Sequence, residues 1–421
     1  MNVLSRLLVE GANEISGEIT AQGAKNSVLP ILAATILCDG DCCLKNCPEL
    51  TDVDISLDIL RFLGCKASRS DNTITVNTGT LGKNRIPDSL MKQMRSSVIF
   101  LGALLGKTSR AEISYPGGCE LGARPLDIHI SSLKQLGAVF EENDDYVVCS
   151  APNGLNGCNI NLRFPSVGAT ENIILAAVLA KGTTIITNAA REPEIIDLAD
   201  FLNKCGARIF GAGGDTVLIE GVKKLFGAEH KIIPDRIAIA TYMACAAVTG
   251  GCLTIYDVIP EHLRSIIPFF EKAGCVVSCP ENELRIFAPE QLLSPELITT
   301  KPYPEFPTDA QPPLMSVTAV GNGITVFVEN VFSNRYNHIP ALRKFGAKIV
   351  VNGRLAIITG VKKLHAVPVT AMDLRGGAAL AVAAFAAEGT TQINGFEHIL
   401  RGYDKKLFTK LDEDTYKMKF Q

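Results

Sequence analysis

The sequence predicts an α/β protein assembled from six copies of one unit of about 70 residues, and three observations lead there. A Gly followed by Ala or Cys recurs at Gly64, Gly137, Gly206, Gly274 and Gly346, at steps of 73, 69, 68 and 72 residues along a chain of 421. An amphipathic stretch precedes each of these glycines and a β-rich stretch follows it. Each unit also holds a second stretch that is apolar almost all round.

Ahead of each Gly the apolar residues keep helical spacing. Ile195, Leu198, Ala199 and Leu202 stand at i, i+3, i+4 and i+7 and share one face. The Gly ends such a helix because the left-handed conformation after the last turn suits a residue without Cβ. The segment that follows, for example Ala347-Lys348-Ile349-Val350-Val351, reads as a strand.

The second stretches run Leu29 to Cys38, Val98 to Leu105, Ile173 to Ala180, Ile237 to Val248, Leu314 to Val320 and Ala378 to Ala387. A helix with no polar face has to be buried. Runs such as Leu253-Thr254-Ile255-Tyr256 and Ile324-Thr325-Val326-Phe327-Val328 then supply strands. Six such units form two pseudo-equivalent domains of three, with the boundary at Lys231-Ile232-Ile233-Pro234, ahead of the fourth buried helix.

With 47% hydrophobic and 20% charged residues, the chain has the composition of a globular protein large enough for two cores. A net charge of -3 gives no general attraction to nucleic acid or anionic membrane, so an anion site has to come from locally gathered Lys and Arg. The thirteen cysteines are odd in number and scattered, which points to reduced thiols and a cytoplasmic location. Cys38, Cys42, Cys43 and Cys47 lack a second CxxC or a nearby His and read as packing, so no metal is expected. The start of the chain has no apolar signal-peptide core, and no apolar run approaches the roughly 20 residues of a membrane span. GxxxxGK[ST], HExxH and a strand-flanked GxGxxG are all missing, which removes the usual parts of nucleotide hydrolysis, zinc proteolysis and dinucleotide redox chemistry.

Polar residues gather just ahead of the buried helices: Lys25-Asn26, Arg95-Ser96-Ser97, Ser166-Val167-Gly168, Asp235-Arg236, Thr308-Asp309 and Asp373-Leu374-Arg375. Helix N-termini carry free N–H groups and partial positive charge, which suits phosphate or carboxylate. Simple capping explains Ser, Thr, Asp and Asn at such places; it explains Lys25, Arg95 and Arg375 less well. The run Pro116-Gly117-Gly118-Cys119-Glu120-Leu121-Gly122-Ala123-Arg124-Pro125 is too rich in Gly and Pro for helix or strand and is expected to be a loop. Cys119 near Arg124 in an accessible loop is a candidate reactive thiol, and the other twelve cysteines are expected to be packing. Arg335 and Arg401, each after a strand, offer planar guanidiniums for an anion.

These stretches, with Gly23-Ala24-Lys25-Asn26, Ala190-Arg191-Glu192-Pro193-Glu194, Phe306-Pro307-Thr308-Asp309 and Arg401-Gly402-Tyr403, resemble in order the UDP-N-acetylglucosamine 1-carboxyvinyltransferases of the EPSP-synthase-like superfamily. The resemblance implies two inside-out α/β barrels, each of three βαβαββ repeats. Residues 25–233 would form the first, and 1–24 with 234–421 the second, with the active site between them. It implies transfer of the enolpyruvyl group of phosphoenolpyruvate to the 3′-hydroxyl of UDP-N-acetylglucosamine, the first committed step of peptidoglycan synthesis, with no cofactor. Cys119 would be the proton donor and the target of the epoxide fosfomycin, and Asp309 the base. Lys25, Arg95, Arg124 and Arg401 would hold phosphoenolpyruvate, with Arg335, Asp373 and Arg375 contributed by the second domain. The sugar nucleotide would lie along Arg124, Pro125, Leu126, Asp127 and Ile128 and along Phe164, Pro165, Ser166 and Val167, with Asn26, Asp309 and Val331. No nucleic acid and no membrane insertion are implied.

Two departures stand out. Phe164 replaces a Lys common in the pattern, and the last unit lacks the Leu-Gly-Ala ending, so its terminal strand is expected to be irregular. The same fold also acts on shikimate phosphate, but without the Cys119 loop or the Ser166 run. A silent sugar-nucleotide sensor would be expected to lose Cys119, Asp309 or a clamp Arg, and none is lost.

Overall fold

The fold comes from a computed structural model in which residues 5–11, 14–114, 126–142, 146–412 and 414–418 are described. The Gly-rich loop, and with it Cys119, Arg124 and Pro125, lies outside the described residues. The rest divides into two compact units: one takes the residues through Gln22 and those from Pro234 onward, and the other takes Gly23 to Ile233.

All five repeat glycines have φ between 92° and 102°, the left-handed backbone that stops a helix where only Gly is unstrained. The six apolar stretches are helices: α1 Lys25–Ala34, α2 Phe100–Thr108, α3 Val167–Ala177, α4 Arg236–Val248, α5 Gln311–Ala319 and α6 Leu374–Phe385. In the unit containing residues 234–418, α4, α5 and α6 pack on one another; in the other, α2 packs on α1 and α3. Side chains such as Ile31, Leu32, Ile173, Met243 and Val382 are fully buried there. Each removal of a Leu- or Ile-sized side chain from water contributes about 1.5–3 kcal/mol. The two cores share no residue.

Around the helices the same sheet pattern recurs: a parallel pair followed by two antiparallel pairings. Glu229–Lys231 runs parallel to Asp41–Lys45, which is antiparallel to Thr73–Asn77, which is antiparallel to Lys66–Ser70. The strands Leu297–Thr299, Ile324–Val328, Leu355–Thr359 and Lys348–Asn352 repeat it. The first two strands of the chain join strands from beyond residue 234. Ser16–Thr20 lies parallel to Cys252–Tyr256, and Arg6–Glu10 sits between Thr390–Asn394 and Thr415–Met418.

The expected irregular end is a correction. Phe408–Lys410 and Thr415–Met418 form a regular antiparallel pair, and the latter is parallel to Arg6–Glu10, so the first strand supplies the order that the missing Leu-Gly-Ala signal does not. Among the described residues no helix is long and apolar enough to cross a membrane. Of the twelve cysteines described, eight are buried and four half-buried. Burial pushes the Cys149 and Cys275 thiols up to about 12, which keeps them protonated and unreactive.

Candidate active site

Five of the six buried helices start ahead of their apolar runs, and the sixth, α2, is preceded by a 3-10 turn, so several of the polar groups ahead of those runs become caps or first-turn residues. Ser166, Asp235 and Asp373 are caps: Ser166 Oγ accepts from Ala169 N–H, Asp235 from Ile237 and Ala238, and Asp373 from Arg375 and Gly376. Lys25, Arg95 and Asp309 are not.

In the unit of residues 23–233, Lys25 is the first residue of α1, and the residue ahead of it, Ala24, has no side chain to cap it. Its ammonium is nearly buried and 2.8 Å from the Asp52 carboxylate, itself 1% exposed. Gly23 is required ahead of it, because a Cβ there would stand 1.8 Å from the Asn46 carbonyl oxygen. Asn26 is half-buried beside Lys25, and Ser27, next in the helix, donates to Asp197, whose other oxygen is 2.8 Å from His230 Nε2.

Arg95 opens a 3-10 turn that leads into α2. Asp127, in the run Leu126, Asp127, Ile128, forms an exposed ion pair with Arg163, the residue ahead of the run Phe164, Pro165, Ser166, Val167. Behind them His129 Nδ1 lies 2.9 Å from Asn172 Nδ2, and Gly168 packs on the imidazole edge. Because Asn172 Oδ1 accepts from Gly102 N–H at 2.7 Å, its Nδ2 must be the donor. That fixes neutral His129 with its proton on Nε2. Burial, reinforced by the charge of Arg95, lowers His129 to about 4.

In the other unit Asp309 is bridged by two arginines. Arg335 pairs with Oδ1 and is 1% exposed; Arg375 reaches Oδ2 from Nη2 at 3.2 Å and from Nε at 3.3 Å. Arg335 Nε also donates to the Thr308 carbonyl oxygen at 3.0 Å. Glu329, which the sequence did not single out, ties the neighbouring segment down: it accepts from Thr308 Oγ1 at 3.1 Å and from the backbone of Val331 at 2.8 Å and Phe332 at 3.0 Å. Arg375 stays charged although burial opposes it, because Asp309 raises it, and its buried Nη1 has no partner among the described residues. Asp373 caps α6 beside it through Oδ1 alone. Arg401 is half-buried on the turn after Phe396–Ile399, next to Tyr403, whose ring lies under the Arg375 guanidinium at 5.9 Å.

This unit therefore offers a carboxylate kept ionised and oriented by two guanidiniums, with Arg401 as a further cation, an arrangement that supplies a proton acceptor and positive charge for an anion. Glu329, His129 and Asn172 had no sequence signal: His129 and Asn172 act through contacts distant in the chain, and Glu329 ties a local turn to Thr308 without any motif to mark it.

The fold is that of the enolpyruvyl transferases. The solved enolpyruvyl transferase NikO from Streptomyces tendae superposes with a TM-score of 0.85, covering 95% of both chains at 24% identity. An EPSP synthase from Acinetobacter baumannii gives 0.71 at 16% identity, covering 94% of this chain and 95% of the other. The family model described as EPSP synthase (3-phosphoshikimate 1-carboxyvinyltransferase) matches residues 9–410. UDP-N-acetylglucosamine 1-carboxyvinyltransferase 2 of Caldanaerobacter subterraneus subsp. tengcongensis is 47% identical over 401 residues, 95% of this chain and 96% of that one. The UDP-N-acetylglucosamine 1-carboxyvinyltransferase of Endomicrobium trichonymphae is 45% identical over 413 residues, 98% of this chain and 99% of that one. The chain belongs to the UDP-N-acetylglucosamine 1-carboxyvinyltransferase family within the EPSP synthase group.

Proposed function

We propose that this chain transfers the enolpyruvyl group of phosphoenolpyruvate to the 3′-hydroxyl of UDP-N-acetylglucosamine and releases phosphate. The observation that carries the chemistry is Asp309 held between Arg335 and Arg375. Asp309 takes the proton of the 3′-hydroxyl as its oxygen attacks C2 of phosphoenolpyruvate, while an acid delivers a proton to C3. In the second half of the reaction C3 gives up a proton, the C2–O bond to phosphate breaks, and the enol ether is restored.

Cys119 is the proposed acid; a thiol with an ordinary pKa of about 8.5 holds its proton at neutral pH. Lys25, Arg95, Arg124, Arg335, Arg375 and Arg401 are proposed to balance the phosphate and carboxylate charges as water is excluded. The Asp127–Arg163 pair supports placing the sugar nucleotide along residues 124–128 and 164–167, because it shows that the described parts of the two runs lie near each other. The aromatic Phe164, 39% exposed, offers a flat face there in place of a Lys charge. A cytoplasmic location is part of the same reading.

Purified protein with both substrates is expected to release phosphate only when the sugar nucleotide is present, with the enolpyruvyl product confirmed by mass. Cys119→Ala is expected to remove turnover, and fosfomycin to inactivate the parent. Sugar-nucleotide binding without phosphate release would overturn the proposal in favour of a silent sensor.

A further inference from the structure

We infer that Gln22 is a positioning residue for Arg401. Its side chain spans the turn that follows Arg401: Nε2 donates to the Gly402 carbonyl oxygen at 3.0 Å, and Oε1 accepts from the Asp404 N–H at 2.9 Å. Oε1 also accepts from the Tyr242 hydroxyl at 3.2 Å. These partners fix the amide, since the reversed orientation would set NH₂ against N–H and carbonyl against carbonyl. The side chain is 8% exposed and Tyr242 is fully buried, so the bonds are shielded from competing water.

Gln22 is itself anchored. Its backbone carbonyl accepts from the Asp235 N–H at 2.8 Å, and Asp235 is the cap of α4. The last residue of the first segment is thereby tied to the start of a fully buried helix at one end and to the Arg401 turn at the other. The remaining turn residue, Tyr403, is 2% exposed, with its hydroxyl 2.8 Å from Thr241 Oγ1 on the same helix. Gly402 and Asp404 are thus held by Gln22, and Tyr403 by α4 and Arg375. The direction in which Arg401 leaves the chain follows from those three constraints. Nothing in the sequence singled out Gln22: it precedes the Gly23-Ala24-Lys25-Asn26 stretch, and its side-chain partners lie 220 to 382 residues away.

The consequence is specific to one substrate. The inference rests on the proposed role of Arg401 in holding phosphoenolpyruvate, so loss of the Gln22 amide should loosen that substrate and leave the sugar nucleotide alone. Gln22→Glu keeps shape and acceptor but loses the donor to Gly402 until its carboxyl is protonated.

The test is steady-state kinetics on the full chain with both substrates, for Gln22→Leu, Gln22→Glu, Arg401→Lys and the Gln22→Leu/Arg401→Lys pair. Gln22→Leu is expected to raise KM for phosphoenolpyruvate by about tenfold, the scale of one or two lost buried hydrogen bonds, with KM for UDP-N-acetylglucosamine unchanged within about twofold. The deficit of Gln22→Glu relative to the parent is expected to narrow as pH falls toward 5. In the Arg401→Lys background Gln22→Leu is expected to add nothing further, because it acts through Arg401. Effects that multiply in the pair, or an equal rise in both KM values, would overturn the positioning role even if Gln22→Leu folds less stably. Parental kinetics for Arg401→Lys alone would instead remove the site reading beneath it.

Discussion

Asp309 presents a single carboxylate oxygen to two nitrogens of Arg375, Nη2 at 3.2 Å and Nε at 3.3 Å. A Lys ammonium cannot reproduce that planar contact. Arg375→Lys is therefore expected to lower kcat/KM by about a hundredfold. Asp309→Asn leaves Arg335 and Arg375, 1% and 4% exposed, without their counter-charge; it is expected to abolish turnover and to destabilise its unit by about 3 kcal/mol. Kinetics and urea unfolding on the same samples check both, and an Asn variant as stable as the parent would contradict the role of Asp309 as counter-charge to two buried guanidiniums.

Acid is expected to unfold the protein through two histidines. Burial lowers both His129 and His338 to about 4, with Arg95 adding to the first and Arg335 to the second, against an opposing pull from Asp373. The unfolded chain binds those protons near pH 6.5. Protons therefore favour unfolding below that pH, and each histidine withdraws stability progressively from about 6.5 down to 4, in full about 3 kcal/mol. The urea midpoint should fall between pH 7 and 5, and by less in a His129→Asn/His338→Asn variant; parallel curves would refute the assignment.

Glu171 carries the opposite pH dependence. It is fully enclosed on α3, and burial, then the charges of Glu194 and Glu192, raise it well above the usual carboxylate range. The folded state holds this proton at pH values where the unfolded chain has released it, so stability falls as pH rises past about 4.5. Glu171→Gln is expected to raise the thermal midpoint at pH 8 by about 2 °C or more, with the gain vanishing near pH 4. A variant less stable at pH 8 would show that the carboxyl has a partner that the amide cannot replace.

Asn172 joins three elements through Gly102 N–H at 2.7 Å, the Val98 carbonyl oxygen at 3.2 Å and His129. Asn172→Leu strands those partners and is expected to cost about 3 kcal/mol. Gly102→Ala is expected to cost nearly as much, since its Cβ would lie 2.4 Å from the Asn172 carbonyl oxygen. Calorimetry measures both, and losses under 1 kcal/mol would mean that α2 and α3 can slide apart freely.

The sixfold architecture was legible because helix termination at Gly and all-round apolar helices are local signals that repeat. Asp309, Arg335 and Arg375 were legible only as members of separate stretches; that they meet around one carboxylate depends on two repeat copies folding together. Ser166, Asp235 and Asp373 gave a mixed signal, since a cap and a site residue call for the same side chains. Glu329, His129 and Gln22 left no trace, because a residue that orients another across a long loop carries no periodicity. The terminal strand was misread for a related reason: its order comes from Arg6–Glu10, at the far end of the chain.

That far-end strand also sets the order in which the two units can be completed. Residues 23–233 bring all the strands of their own unit, so the unit that begins second is the first that the ribosome can complete. Leu7 and Val9, made before the whole of that unit and fully buried in the finished protein, wait for Thr390–Asn394 and Thr415–Met418 to emerge. The entropic penalty of closing so long a loop grows only slowly with its length, but the delay lasts through the synthesis of the whole intervening unit. Removing Arg6–Glu10 would therefore leave the unit of residues 23–233 intact and strip a central strand from the last sheet to form.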